Sequence, residues 1–250
     1  MRFDDIQGRR YARFETLAGQ SGLRHAFCLR PQDVSPRYDQ HQAERARRRG
    51  QMAADLTLDV ERLCYCIQVH EARIAVLEGP VVGGPLEGFD AVTTNAAGVP
   101  LMTFSADCPL VLLYDPRHAA LGLAHASWHC TVAGLVGTLL KTMQKRWGSQ
   151  PEHIWAGIGP GAGPCCYEVQ QDVYEAASVL PDADKLFERR ADRLYFDLWQ
   201  ANRAQLCAAG IPEARVELAG VCTLCRNDLF YSFRREGAGC GHFGLMAALI

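Results

Sequence analysis

The fold class this chain predicts is α/β, in a single domain spanning residues 1–250, and three observations carry that expectation. Apolar runs of strand length recur from residue 63 to the C-terminus. A helical period interrupts them, and no repeat, low-complexity tract or long linker divides the chain. At 250 residues and 48% hydrophobic, the sequence can bury a substantial core.

Taken in order, Pro36 after Ser35 reads as a helix start, and residues 40–54, rich in Ala, Arg, Gln and Glu, suit a helix. The cluster Arg45, Arg47, Arg48 and Arg49 is expected on a solvated face of it, with an anion-binding role as the alternative. Residues 63–69 read as a strand delivering His70, residues 73–77 as a short strand, and residues 79–88 as a turn-rich loop of Gly and Pro. Strand-like runs follow at 89–94, 99–105, 110–114 and 121–126. The period then changes: Val132, Leu135, Val136, Leu139, Leu140 and Met143 keep the i, i+3, i+4, i+7 spacing of a one-sided helix beginning just past His129. Residues 154–158 are another strand, closed by Gly159-Pro160-Gly161, and 168–180 reads as helix. Asp197 with Gln200 at the third position marks a helix N-cap, and Gly210 its stop. Residues 216–221 and 243–250 supply the last strands.

Composition excludes several function classes. Lys+Arg of 26 against Asp+Glu of 28 gives a net charge of -2, which argues against broad binding to nucleic acid or acidic membranes. Eleven cysteines are odd in number and scattered, and residues 1–11 are charged without the apolar core of a leader, so a reduced, cytoplasmic protein is expected. No apolar run approaches the ~18 residues of a membrane helix.

Chemistry concentrates at strand ends. Cys108 in Ser105-Ala106-Asp107-Cys108-Pro109, His125 in Leu123-Ala124-His125-Ala126 and His70 in Gln68-Val69-His70 each close or precede an apolar strand-like run. One Cys and two His suit Zn²⁺, with three protein ligands and an open fourth position. Spacing alone leaves the histidines open to ordinary surface or hydrogen-bonded core roles. It also leaves Cys108 open to a nucleophile's role with His125 as base. Asp107 either orients a ligand or moves protons, or it caps a turn. Cys222-Thr223-Leu224-Cys225 has the spacing of a metal knuckle that Cys240 and His242 could complete as a second site, although reduced structural thiols or a redox pair fit as well.

These segments, with Gly157-Ile158-Gly159-Pro160, Pro164-Cys165-Cys166-Tyr167-Glu168-Val169 and Asp228-Leu229-Phe230-Tyr231-Ser232-Phe233-Arg234-Arg235, resemble the YfiH-type laccase-domain family from about residue 23 to the end. That family was long labelled polyphenol oxidase or laccase, an oxidoreductase with copper, and is now mostly read as zinc-dependent purine nucleoside phosphorylases. The resemblance implies a layered, mixed β-sheet core with outer helices, similar to the catalytic domains of cytotoxic necrotizing factors. It implies zinc on His70, Cys108 and His125, which are also the catalytic residues, and a substrate shell of Arg30, Gln68 and His129. The implied function is phosphorolysis of adenosine, inosine and guanosine, with adenosine deamination as a companion activity; the partners are purine nucleoside and phosphate. Two alternatives stand: a Cys-His thiol hydrolase of an amide or cell-wall precursor, and a metal-binding relative with reduced activity. Copper oxidase chemistry is hard to support, since the chain has only eight His and no His-x-His pair. Relatives mostly read Ala-Gly-Trp-Arg-Gly where this chain has Ala126-Ser127-Trp128-His129-Cys130, so a mostly neutral imidazole stands where they carry a permanent forked charge.

Overall fold

The computed structural model describes residues 1–250. Its strands, in chain order, are β1 (Arg2–Ile6), β2 (Arg9–Arg13), β3 (Leu23–Cys28), β4 (Cys64–Ile67), β5 (Ile74–Leu77), β6 (Gly84–Glu87), β7 (Ala91–Thr94) and β8 (Leu101–Ser105). There follow β9 (Leu110–Asp115), β10 (Ala120–His125), β11 (Trp155–Ile158), β12 (Glu168–Val169), β13 (Phe187–Arg190), β14 (Arg193–Phe196), β15 (Val216–Leu218) and β16 (Phe243–Leu249). The helices are α1 (Glu15–Ala18), α2 (Gln42–Asp55), α3 (Trp128–Val132), α4 (Leu135–Trp147), α5 (Gln171–Ala176), α6 (Leu198–Ala208) and α7 (Phe233–Glu236).

Two large mixed sheets and one small one result. The first runs β1-β2-β3-β16-β8-β4-β6 and the second β15-β11-β9-β10-β7-β5, with β12-β14-β13 apart. In both large sheets the antiparallel centre gives way to parallel edges, where β4 joins β8 and β6 and where β5 joins β7. Strand alternation divides the residues of β9. Leu110, Leu112 and Tyr114 enter a core shared with Phe27, Met102 and Leu245 of the first sheet, while Val111 and Leu113 face α4 with Leu139, Leu140 and Met143. The architecture is therefore sheet on sheet with helices outside, and β9 and β10 are buried along their whole lengths. Gly122 lets α4 approach: a Cβ there would lie 3.1 Å from Leu139 and 3.2 Å from Met143.

Several expectations are corrected. The first three strands escape notice because β1, the sheet edge, and β2 beside it are charged, with only Tyr11 and Ala12 of the two buried, while Arg24 and His25 interrupt the apolar run of β3. The helix expected from residue 131 is two helices, since Gly134 at φ 73 breaks the run; Ser127 caps the first, so His129 lies within α3. Residues 168–180 are not one helix, because Val169 pairs with Leu194 in the small sheet and α5 spans only Gln171–Ala176. The turn-rich loop contains β6. The basic cluster is not wholly solvated: Arg45 and Arg49 are buried at 3% and 5% exposure. Arg45 binds Asp39 and the carbonyl of Arg37, and Arg49 binds the carbonyls of Val34 and Ser35. The apolar period of α2 is thus a poor guide to its buried face, because the groups it faces are backbone carbonyls that need donors.

Candidate active site

Topology brings the three expected ligand residues to one place. Cys108 lies in the short crossing by which the chain leaves β8 in the first sheet and enters β9 in the second. His125 ends β10 opposite Leu110, the first residue of β9. His70 follows β4, which runs parallel to β8, so the C-terminal ends of both strands point the same way. All three line one cavity of about 580 Å³. The rings of His70 and His125 are 5.0 Å apart, centroid to centroid.

Asp90, fully buried ahead of β7, organises this end of the cavity. Its Oδ1 accepts from the backbone N–H of His70 at 2.8 Å and of Val69 at 3.2 Å, and its Oδ2 accepts from Glu71 at 2.9 Å. These bonds hold His70 in a left-handed turn at φ 63. The same carboxylate lies 3.8 Å from His125 Nδ1, and the Asp90 carbonyl accepts the His125 N–H. Burial works to raise the Asp90 carboxyl, but His125 and the His70 and Glu71 amides overcome it and hold the group at about 2. Burial dominates at the other donors, keeping His125 neutral by lowering its pKa and pushing the Cys108 thiol up to about 12. Sequence reading missed Asp90; its signal was an acid in an otherwise apolar strand-like run.

Of the three residues expected to form a substrate shell, one lines the cavity. Gln68 lines the cavity, braced by its amide on the Phe104 carbonyl at 2.7 Å. Arg30 does not line it: its guanidinium binds Glu236 at 2.9 Å and lies over the Tyr231 ring. His129 is exposed at the rim, stacked on Trp128 with ring centroids 3.6 Å apart and 6.4 Å from His70. The cations that do line the cavity are Arg37 and Arg234, and its aromatic walls are Tyr38, Phe104, Tyr167 and Phe233. Arg37 had no motif to betray it; its carbonyl is held by Arg45 of α2 at 2.8 Å. Asp107 orients other segments rather than capping its own turn: it accepts from Thr223 Oγ1 at 2.6 Å and from the Arg234 N–H at 2.7 Å. Burial, Arg37 and His125 hold the His242 imidazole, another cavity residue, down to about 4.

A second donor set lies apart from the cavity. The sulphurs of Cys165, Cys166, Cys222 and Cys225 all lie within 4.8 Å of one another, a set able to hold a metal ion. The knuckle therefore finds its partners in Cys165 and Cys166; Cys240 and His242 stand outside the group. No sequence spacing joins residues 165 and 222, so the expected completion by residues 240 and 242 followed chain proximity alone.

The family model described as multi-copper polyphenol oxidoreductase laccase matches residues 32–250. The chain is 32% identical over 253 residues to a purine nucleoside phosphorylase of Bacteroides thetaiotaomicron, covering 93% of this chain and 94% of that one. It is 30% identical over 200 residues to adenosine deaminase RL5 from an unknown prokaryotic organism, covering 76% of each. Among solved structures it is similar to YfiH of Bacillus licheniformis, with a TM-score of 0.87, 28% identity, and 91% of this chain and 93% of that one covered. With a profile match over most of its length, relatives at this identity and a shared fold, the chain belongs to the laccase-domain family that includes YfiH-type proteins.

Proposed function

We propose that this chain is a zinc-dependent purine nucleoside phosphorylase, acting on adenosine, inosine and guanosine, with adenosine deamination as a second reaction of the same pocket. The observation that carries the reading is one cavity of about 580 Å³ that combines Cys108 and three histidines, His70 and His125 among them, with two arginines and four aromatic rings. Its volume lies in the range of small-molecule sites, ~300–1,000 Å³. Relatives named purine nucleoside phosphorylase and adenosine deaminase support the same substrate class.

The donor set fits zinc: a thiolate and two imidazoles are borderline-soft ligands, and all three side chains line the same cavity. Bound by His70, Cys108 and His125, zinc would supply Lewis-acid polarisation. The protein's own residues do the rest. Asp90 fixes the backbone turn at His70 and faces the His125 ring, the kind of outer support that orients ligating imidazoles. Arg37 and Arg234 offer forked donors for phosphate, whose charge they neutralise. Tyr38, Phe104, Tyr167 and Phe233 offer faces for a purine and exclude water from the glycosidic bond. Gln68 spends its N–H₂ on Phe104, and no protein donor reaches its carbonyl oxygen, which remains for a donor of the base or ribose.

The test follows inosine and adenosine turnover, with and without phosphate, in metal-defined protein. Phosphate-dependent release of base with ribose 1-phosphate is expected. Arg37→Gln should raise the KM for phosphate about tenfold, the weight of one charge-assisted hydrogen bond, with a smaller effect on the KM for nucleoside. His129→Arg, at the rim, should change either constant less. Equal rates with and without phosphate would remove the phosphorylase assignment, and no turnover of any purine nucleoside would remove the enzyme reading.

A further inference from the structure

We propose that Cys165, Cys166, Cys222 and Cys225 hold a second, structural zinc ion that fastens the loop after β11 to the knuckle after β15, behind the wall of the cavity. The four sulphurs have the right spacing. A Zn–S bond of about 2.3 Å in a tetrahedron sets neighbouring sulphurs about 3.8 Å apart. Here Cys225 Sγ lies 3.7 Å from Cys165 Sγ and 3.5 Å from Cys166 Sγ, and the whole set stays within 4.8 Å.

The surroundings suit a metal thiolate. Cys222 and Cys225 are spaced as a knuckle, and Cys222 Sγ accepts the Gly163 N–H at 3.3 Å, the kind of backbone donor that stabilises a ligating sulphur. Cys165 and Cys166 are adjacent, yet a tight turn lets both sulphurs reach the set: the N–H groups of Cys166 and Tyr167 both bond to the Gly163 carbonyl. Gly163 is itself required, since a Cβ there would lie 2.6 Å from Trp199 and 3.2 Å from the Cys222 Cβ. Four thiolates on Zn²⁺ leave two net negative charges. Two guanidiniums stand by: Arg190 binds the Cys165 carbonyl at 3.3 Å and Arg235 binds the Leu224 carbonyl at 2.6 Å.

Such an ion would fix parts of the cavity. Tyr167, next to Cys166, lines it, and Thr223, inside the knuckle, donates to Asp107 beside Cys108. Arg234 closes the circuit, with its N–H on Asp107 and its guanidinium on the Glu168 carbonyl at 2.7 Å. The two loops already run side by side, with the Gly161 N–H on the Val221 carbonyl at 3.2 Å and the Thr223 N–H on the Gly161 carbonyl at 3.0 Å, and the ion would extend that pairing to their cysteines.

The experiment counts zinc by elemental analysis in protein prepared under reducing conditions with zinc present, for the wild type, Cys108→Ala, and Cys108→Ala combined with Cys225→Ser. About two zinc ions are expected in the wild type, about one in Cys108→Ala and about none in the double variant. Cobalt substitution of Cys108→Ala should give the intense sulphur-to-metal absorption of a four-thiolate tetrahedral site, and this spectrum decides the matter if the double variant does not fold. A wild type with about one zinc that survives Cys108→Ala but not Cys225→Ser would support this site and remove the zinc of the cavity. Loss of all zinc and of the cobalt spectrum in Cys108→Ala would overturn the proposal. A disulfide among the four cysteines, found after thiols are blocked at lysis, would overturn it in favour of a redox pair.

Discussion

Asp90 carries more of the candidate site than its one side chain suggests, because its carboxylate serves the His70 turn and the His125 ring together. Replacing it by Asn keeps the shape but removes the charge and one acceptor, leaving a buried N–H of the His70 turn short of a partner. Asp90→Asn should weaken zinc binding at the cavity by about 10–100-fold, as measured by competition with a chromophoric chelator, while the cysteine site keeps its metal. An unchanged affinity would show that the turn holds His70 without the carboxylate. That Cys108, His125 and His70 stand at strand ends was legible in the sequence, and the family resemblance singled them out as the proposed ligands. Asp90 was not, since an acid inside an apolar run declares its role only when three separate amides are seen to converge on it.

At the scale of elements, β3 is tied to the segment between β2 and α1 by His25, whose Nε2 accepts the Phe14 N–H at 3.1 Å. His25 is fully buried, and burial, with Arg13 adding to it, lowers its pKa from 6.5 to about 3. The unfolded chain therefore binds a proton at His25 below about pH 6.5 that the folded chain refuses until about pH 3. Stability from this group is complete above the unfolded value and falls with acid, by up to about 1.4 kcal/mol per pH unit. Urea unfolding from about pH 7 to about pH 4 should show this loss. His25→Gln, which keeps an acceptor for Phe14 but cannot titrate, should show a shallower one; an identical slope would place the acid sensitivity elsewhere. The helices whose apolar period is regular, such as α4, were legible, whereas the edge strand β1 and its charged neighbour β2 were not, because strands at the rim of a sheet need bury little.

At the scale of the whole molecule, the donor inventory weighs against the oxidase name attached to the family. The cavity offers one cysteine and three histidines, His70, His125 and His242, which are too few imidazoles for the histidine-rich copper cluster of a multicopper oxidase. The other metal-type set is all cysteine. Oxygen uptake with a phenol should stay at background in metal-defined protein, and copper-stoichiometric oxygen reduction would overturn that. The net charge of -2 makes no large field for a polyanion, and no helix is long and apolar enough to cross a membrane.

The sequence by itself determined the strand and helix alternation of the central chain, the family, and the residues Cys108, His125, His70 and Gln68 of the cavity, because residue type, apolar period and motif order are local properties. Only the tertiary structure decided which charges face the cavity. Arg30 is spent on Glu236, His129 is left at the rim, and Arg37 and Arg234 take the walls. It alone paired Cys222 and Cys225 with Cys165 and Cys166 across more than fifty residues of chain. The physical reason is the same in each case. A long side chain or a thiol acts on whatever the packing of distant strands sets within a few ångströms of it, and sequence separation carries no information about that distance.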